Sequence, residues 1–418
     1  MWPTTDTTTA WWRSDSDRYW QSIDAAVREE GCDSPVAVLD LTAFEHNVAD
    51  LRRRAGGVPI RVASKSIRVR TVISEILARD GFAGVLAYDV AEAIWLATES
   101  GITDVLLGYP SVRPHALRSL IADDVARSRV TLLVDSTDHL DVVDALVAPA
   151  GRGDVRVAID LDASLRLGGG RVHLGVRRSP VHSPAQARSL AESIERRAGF
   201  TLVGVMSYEA QVAGMGNGAA GKPLTNAAVR LLQQRSMAEL VERRVAAIGA
   251  ISEVRELEFV NGGGTGSLEV TATDPSVTDI AAGSGFFGGH LFDSYAHFRP
   301  APAVGFGLDV VRLPAPGIAT CAGGGWIASG PPGADRLPLP VWPAGLRYVG
   351  TEAAGEVQTP LRNADGLTVG DRVWFRHTKS GEICERVGEL VFVARDASDC
   401  ARVVDRLPTY RGEGKCFL

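Results

Sequence analysis

At 418 residues the chain exceeds one ordinary domain and fits two, one of them large enough for a barrel of roughly 250 residues. Hydrophobic residues at 45% and charged residues at 22% describe a globular protein able to bury sizeable cores, which excludes large-scale disorder. A formal net charge of -6 with no Lys/Arg-rich run excludes a nucleic-acid or anionic-membrane surface and leaves a small molecule as the expected partner.

Residues 1–35 are expected to form an N-terminal extension that packs on the body of the protein, through the aromatic cluster Trp11, Trp12, Tyr19 and Trp20. This segment has neither a basic n-region nor a continuous apolar stretch, and no run of about 18 apolar residues follows it, so a cytoplasmic protein is expected. The five cysteines are scattered, odd in number and without a CxxC pair, which speaks against a disulfide framework or a zinc ribbon.

From residue 36 to 300 the pattern predicts repeated βα units. Eight nearly continuous apolar runs, at 59–64, 84–87, 104–108, 130–134, 154–160, 201–206, 256–260 and 279–283, read as parallel strands buried on both faces. The segments between them have helical periodicity, and Thr42 with Glu45 and Asp89 with Glu92 have capping-box spacing. Eight strands with eight helical segments close most naturally as an α/β fold of the (β/α)8 TIM type, an open doubly wound sheet being the alternative. From 301 to 418 the helical periods give way to Gly/Pro-punctuated strands, which predicts a C-terminal all-β domain.

In such a barrel the residues following the strands form the active site. RVASKS runs the first strand straight into Lys65, where a partly desolvated ammonium loses its proton and becomes a Schiff-base nucleophile; a surface lysine is the plain alternative. After the seventh strand, NGGGTGS brings consecutive glycines with Thr265 and Ser267, a phosphate nest or, more blandly, a flexible loop. Phosphate sites commonly follow strands seven and eight of these barrels.

With these residues in view, the sequence resembles the alanine-racemase-like barrel class of pyridoxal-phosphate enzymes. The resemblance lies in the branch holding D-threonine aldolase and eukaryotic-type D-serine dehydratase, and within it the bacterial amino-acid deaminase/aldolase proteins. It rests on PVAVLDLTAFEHNVADLRRRAG leading into RVASKS, on GGGTG, on GSGFFGGHLFDSY, and on EAAGEVQTPL and GDRVWFRHTKSGE. It implies a cofactor imine at Lys65, phosphate held by Gly263, Gly264, Thr265 and Gly266, and cofactor contacts from Arg166, Tyr208 and Tyr295. It also implies a homodimer whose β-domain covers the barrel mouth. Arg166 has a second reading as a partner of Asp160 or Asp162, and Tyr208 one as a packing residue. Glu209 and Gln211 fall where relatives carry an acidic residue and a histidine.

The sequence departs from the branch at its metal. Relatives bind a divalent ion between a histidine and a cysteine or aspartate two residues later, whereas here His377 is followed by Lys379, whose ammonium has no lone pair to give. No metal site is therefore expected, although Glu382 and Cys384 stand near enough in sequence to supply a second ligand. The resemblance then implies a lyase cleaving the Cα–Cβ bond of a D-β-hydroxy amino acid, with His377 as base at a pKa near 6.5 and Lys379 supplying the metal's positive charge. The alternatives are a pyridoxal-phosphate D-amino-acid dehydratase or deaminase, a protein that carries the cofactor without turnover, and a sugar-phosphate lyase using the same lysine and nest.

Overall fold

The structure, a computed structural model, describes residues 16–331, 333–396 and 398–418, so Trp11 and Trp12 lie outside the described residues. The chain divides into two compact units, one of residues 51–65, 73–283 and 417–418, the other of residues 16–50, 66–72 and 284–416.

In the first unit eight parallel strands close a barrel: Ile60–Ala63, Phe82–Ala87, Val105–Leu107, Val130–Val134, Val155–Asp160, Phe200–Ser207, Phe259–Gly262 and Asp279–Ala282. The ring is closed by pairing of Ile280 with Ile60 through Ala282 with Val62. Each strand coincides with one of the eight apolar runs, the seventh displaced toward its C-terminus. The runs are continuous because both faces are covered: all of Val130–Val134 and Asp279–Ala282 are buried. Leu106, Leu133, Ala158, Val203, Met206 and Phe259 form one core cluster of the barrel. Gly204 makes room for the Phe259 ring, which a Cβ at that position would overlap. Beside it Arg61 lies 5.0 Å over the same ring and is ion-paired to Asp104 at 2.8 Å and Asp279 at 2.9 Å.

The helices start where local chemistry places them. Asp89 caps Val90–Glu99 by accepting from Ala91 N at 2.8 Å, while Glu92 reaches back to Tyr88 N at 2.8 Å. The spacing of Thr42 and Glu45 misleads: the cap of Leu41–Arg54 is Asp40, whose carboxylate accepts from Thr42 N and Ala43 N at 2.9 and 3.1 Å. A carboxylate two residues nearer the strand, its other oxygen paired to Arg395 at 2.8 Å, takes the orphan N–H groups first.

The second unit is built on a nine-stranded, mainly antiparallel sheet. Its membership corrects the expected boundary at residue 36, because Val36–Asp40 is no barrel strand: it pairs antiparallel with Val304–Ala315 and parallel with Glu389–Arg395. All five of its residues are buried, and a continuous apolar run does not reveal which sheet buries it. Leu339–Trp342 and Ala401–Pro408 are among its strands, and between residues 346 and 357 only Arg347–Tyr348 is strand. In the helix Ser16–Glu29, Tyr19 and Trp20 are buried, and Trp20 stacks on Trp374 with centroids 5.7 Å apart. Cys32, Cys321 and Cys384 are buried thiols and Cys400 an exposed one, and no described helix is long and apolar enough to cross a membrane.

Candidate active site

The first barrel strand ends in a 3-10 turn, Ser64–Ser66, which carries Lys65 out of the strand direction. Lys65 is exposed rather than desolvated as its sequence position suggested, because the turn lifts it off the barrel wall while Ser64 and Ser66 are buried. Its Nζ donates to the Tyr109 hydroxyl at 2.8 Å and lies 5.3 Å from that ring's centroid. Tyr109 stands two residues beyond the third strand. Tyr208, directly after the sixth strand, is half-buried, and the Arg178 guanidinium lies 5.4 Å over its ring and 5.3 Å over Tyr109. Burial pushes the Tyr208 phenol up to about 12, against the pull of Arg178, so it stays protonated at neutral pH. Asp160, the last residue of the fifth strand, is buried, and burial outweighs the attraction of Arg178 to push its carboxyl up to about 7.

The glycine loop after the seventh strand is held from below by one carboxylate. Glu209, fully buried, accepts from Gly263 N at 3.1 Å, Ser267 Oγ at 2.9 Å, Arg244 Nη2 at 3.1 Å and the Thr271 hydroxyl. Arg244 comes from the helix Pro223–Ser252 and is also paired with Asp274 at 2.8 Å. Ser267 Oγ accepts from Gly264 N at 3.2 Å, and Arg54 donates to Thr265 O at 2.7 Å. The N–H groups of Gly263 and Gly264 are therefore spent within the protein, which corrects the expectation that all four loop residues offer donors to a phosphate. These two glycines serve space instead: Gly263 has φ +75°, and a Cβ on Gly264 would come 3.0 Å from the Tyr208 ring. Gly266 is buried and its N–H finds no acceptor among the described residues.

Arg166 lies in the hairpin of Leu165–Leu167 with Val172–Leu174 and is paired to Asp162 through Nη2 at 2.6 Å and Nε at 3.1 Å, the second of the two readings its sequence allowed. Gln211 Nε2 donates to Ala163 O at 2.7 Å.

The remaining expected residues belong to the second unit. His377 follows the strand Arg372–Arg376 and is 1% exposed, with Nδ1 3.1 Å from Val304 O and Nε2 without a partner among the described residues. An N–H at Nδ1 satisfies the carbonyl and leaves the lone pair on Nε2. Burial pushes its pKa down to about 4, which corrects the expected value near 6.5 and keeps the ring neutral at neutral pH. Lys379 is half-buried. Glu382 receives Lys379 N at 2.6 Å and Ser380 N at 2.8 Å on its two oxygens, and burial raises the Cys384 thiol far above its ordinary value. Tyr295 is 1% exposed and packs in a cluster with Phe292 and Phe298, its ring also lying 6.0 Å from that of the exposed His297.

Sequence reasoning missed Tyr109, Asp160 and Arg178. The first two carried a signal, a polar side chain at or just after a barrel strand. Arg178 carried none, because it arrives after the inserted hairpin.

Residues 39–250 match the family described as the alanine racemase N-terminal domain. Over 254 residues the chain is 25% identical to a D-threonine aldolase of an Arthrobacter species, a match spanning 60% of this chain and 60% of that relative's length. Among solved structures it is similar to D-threonine aldolase from Filomicrobium marinum, with a TM-score of 0.72 and 20% identity over 91% of this chain and 95% of that one. It is also similar to D-threo-3-hydroxyaspartate dehydratase from Delftia sp. HT23, with a TM-score of 0.65 and 20% identity over 90% and 98% of the two chains. At these identities the solved structures bear on the fold.

Proposed function

The chain belongs to the alanine racemase N-terminal domain family, and from that premise we propose that it is a pyridoxal-phosphate lyase. Its reaction would cleave the Cα–Cβ bond of a D-β-hydroxy amino acid to an aldehyde and a smaller amino acid. The observation that carries the reading is the placement of Lys65, an exposed lysine hydrogen-bonded to Tyr109, on the same strand-end face of the barrel as the loop that Glu209 holds.

The residues present fit the cofactor. Gly266 offers a buried N–H without an acceptor, and Gly264 lets the loop lie flush on Tyr208. Thr265 and Gly266 would receive the phosphate, Gly263 and Gly264 would shape its cradle, and Tyr208 and Arg166 would border the ring. Pyridoxal phosphate, when bound, supplies the electron sink for the pair left on Cα. Lys65 Nζ would hold the cofactor's carbonyl carbon until the substrate amine takes its place, and Tyr109 positions that nitrogen through its hydroxyl.

For the β-hydroxyl proton the reading assigns His377, a neutral imidazole with its Nε2 lone pair uncommitted, and it keeps Lys379 as the charge that steadies the resulting oxygen. Tyr295 would contribute a cofactor contact from its aromatic cluster with Phe292 and Phe298. The reading includes a cytoplasmic homodimer, with the assembly measurable by sedimentation.

The test is chemical. Borohydride should fix the cofactor covalently to the wild type and not to Lys65→Ala, and a screen of D- and L-β-hydroxy amino acids should release aldehyde from the D series without ammonia. Fixation in Lys65→Ala would remove the lysine assignment, and ammonia with a keto acid would replace the aldolase by a dehydratase.

A further inference from the structure

Several arginines of the barrel unit are committed to carboxylates: Arg61 to Asp104 and Asp279, Arg166 to Asp162, Arg244 to Glu209 and Asp274, and Arg54 to Glu269. Arg178 is different. It is exposed, and among the described residues its guanidinium makes no hydrogen bond or ion pair. What holds it is aromatic: its Cζ lies 5.3 Å from the centroid of Tyr109 and 5.4 Å from that of Tyr208. A guanidinium over ring faces gains cation–π energy there and keeps its fork of N–H donors for a planar anion.

The position of this unused fork is informative. Lys65 Nζ is also 5.3 Å from the Tyr109 centroid, so the two cations share one ring and are separated by at most twice that distance. In an α-amino acid the carboxylate carbon is two bonds from the amine. A substrate whose nitrogen takes the place of Lys65 Nζ has its carboxylate within a few bonds of a ring that Arg178 also overlies, and a charge-assisted fork between the two closes at about 2.8 Å.

We propose that Arg178 is the residue that receives the α-carboxylate of the amino-acid substrate, with Tyr109 and Tyr208 as the two walls that hold the guanidinium in place. The proposal rests on the reading of Lys65 as the cofactor's lysine, and it names a specificity element of that site. Asp160, the nearby buried carboxyl, has its pKa raised to about 7 by burial, so below neutral pH it is largely uncharged and leaves the fork to an incoming anion. An amide or an ester of the same amino acid offers no charge to this arginine and is the discriminating ligand.

The cofactor's phosphate is the second anion that could occupy the fork, and the experiment separates the two sources. Holoenzyme of wild type, Arg178→Gln and Arg178→Lys is titrated with D-alanine and with D-alaninamide, read by the change in the cofactor's visible absorption, and cofactor affinity is measured by equilibrium dialysis. In wild type D-alanine should bind more tightly than its amide. Arg178→Gln should weaken D-alanine by about tenfold to a hundredfold, the range for a hydrogen bond to a charged partner, and leave the amide and the cofactor within about twofold. Arg178→Lys should recover part of the preference. Equal losses for both ligands, no loss for either, or lost cofactor affinity with the preference intact would overturn the proposal.

The premise has its own readout. If borohydride fixes no cofactor to Lys65, that reading has failed, and calorimetry with acetate and acetamide on wild type and Arg178→Gln then decides the arginine's role alone. Acetate binding that disappears with the guanidinium supports a carboxylate site. Acetate binding that is absent or unchanged ends it.

Discussion

The fifth and sixth barrel strands each deliver a buried carboxyl group to the same end of the barrel, and the protein treats the two in opposite ways. Glu209, just past the sixth strand, is met by a backbone N–H, two hydroxyls and a guanidinium. The carboxyl of Asp160, ending the fifth, accepts no hydrogen bond among the described residues and is pushed up to about 7 by burial. Every acceptor site of the first is used, so it fixes the glycine loop as rigid framework. The second is left under-satisfied within the electrostatic reach of Arg178, an exposed guanidinium. Burial alone does not tell the two carboxyls apart.

The largest effect should come from breaking the framework half. Glu209→Ala strips four donors of their acceptor and leaves Arg244, 0% exposed, with Asp274 as its remaining described ion-pair partner. Loss of one partner from a buried pair costs about 3–5 kcal/mol, to be read as a lowered urea midpoint, with cofactor retention falling in parallel. A loss under about 1 kcal/mol would show that the loop is held by other means.

Asp160→Asn tests the other half through pH. The folded pKa of Asp160 is raised from 3.8 to about 7, so the folded state binds the proton more tightly than the unfolded one. This group's contribution is fully present below pH 3.8, and stability is lost as pH rises toward 7, by up to about 1.4 kcal/mol per unit. Asn has no proton to lose, so the stability of the variant relative to wild type should climb between those limits and level off above them. A flat difference across that window would mean that Asp160 is solvated or paired in solution.

The smallest effect is expected in the other unit, on chelation. Both oxygens of Glu382 are occupied by backbone N–H groups, and the Cys384 thiol is held neutral by burial, so neither neighbour is ready to join His377 around a divalent ion. Activity after exhaustive chelator treatment should stay within about twofold of its starting value, as the proposed role of Lys379 in supplying the charge requires. Loss restored by zinc or manganese would show that Glu382 rotates into a ligand set.

Much of this was legible in the sequence, for a physical reason: a barrel strand is buried on both faces and writes an unbroken apolar run, so all eight strands could be placed, and with them Lys65 and the glycine loop. What stayed hidden depends on partners remote in sequence. Glu209 owes its role to Arg244, Ser267 and Thr271, from 35 to 62 residues away, and nothing local announces that convergence. Val36–Asp40 fell inside the expected barrel domain although it pairs in the other sheet, because burial pattern carries no information about neighbours. Tyr295 and His377 show a third limit, since a residue type that suits chemistry gives no sign of how deeply it will be buried, and burial moved the His377 pKa by more than any charge beside it.

The strand Val36–Asp40 also sets a timetable. Its antiparallel neighbour begins at residue 304 and its parallel neighbour at residue 389, whereas every strand of the barrel has been made by residue 282. At about 5–20 residues per second on the ribosome, the nascent barrel can close while VAVLD waits for tens of seconds with both edges unpaired. For that interval a short, flat, apolar segment is the natural target of chaperones, and of the wrong strand on a neighbouring chain.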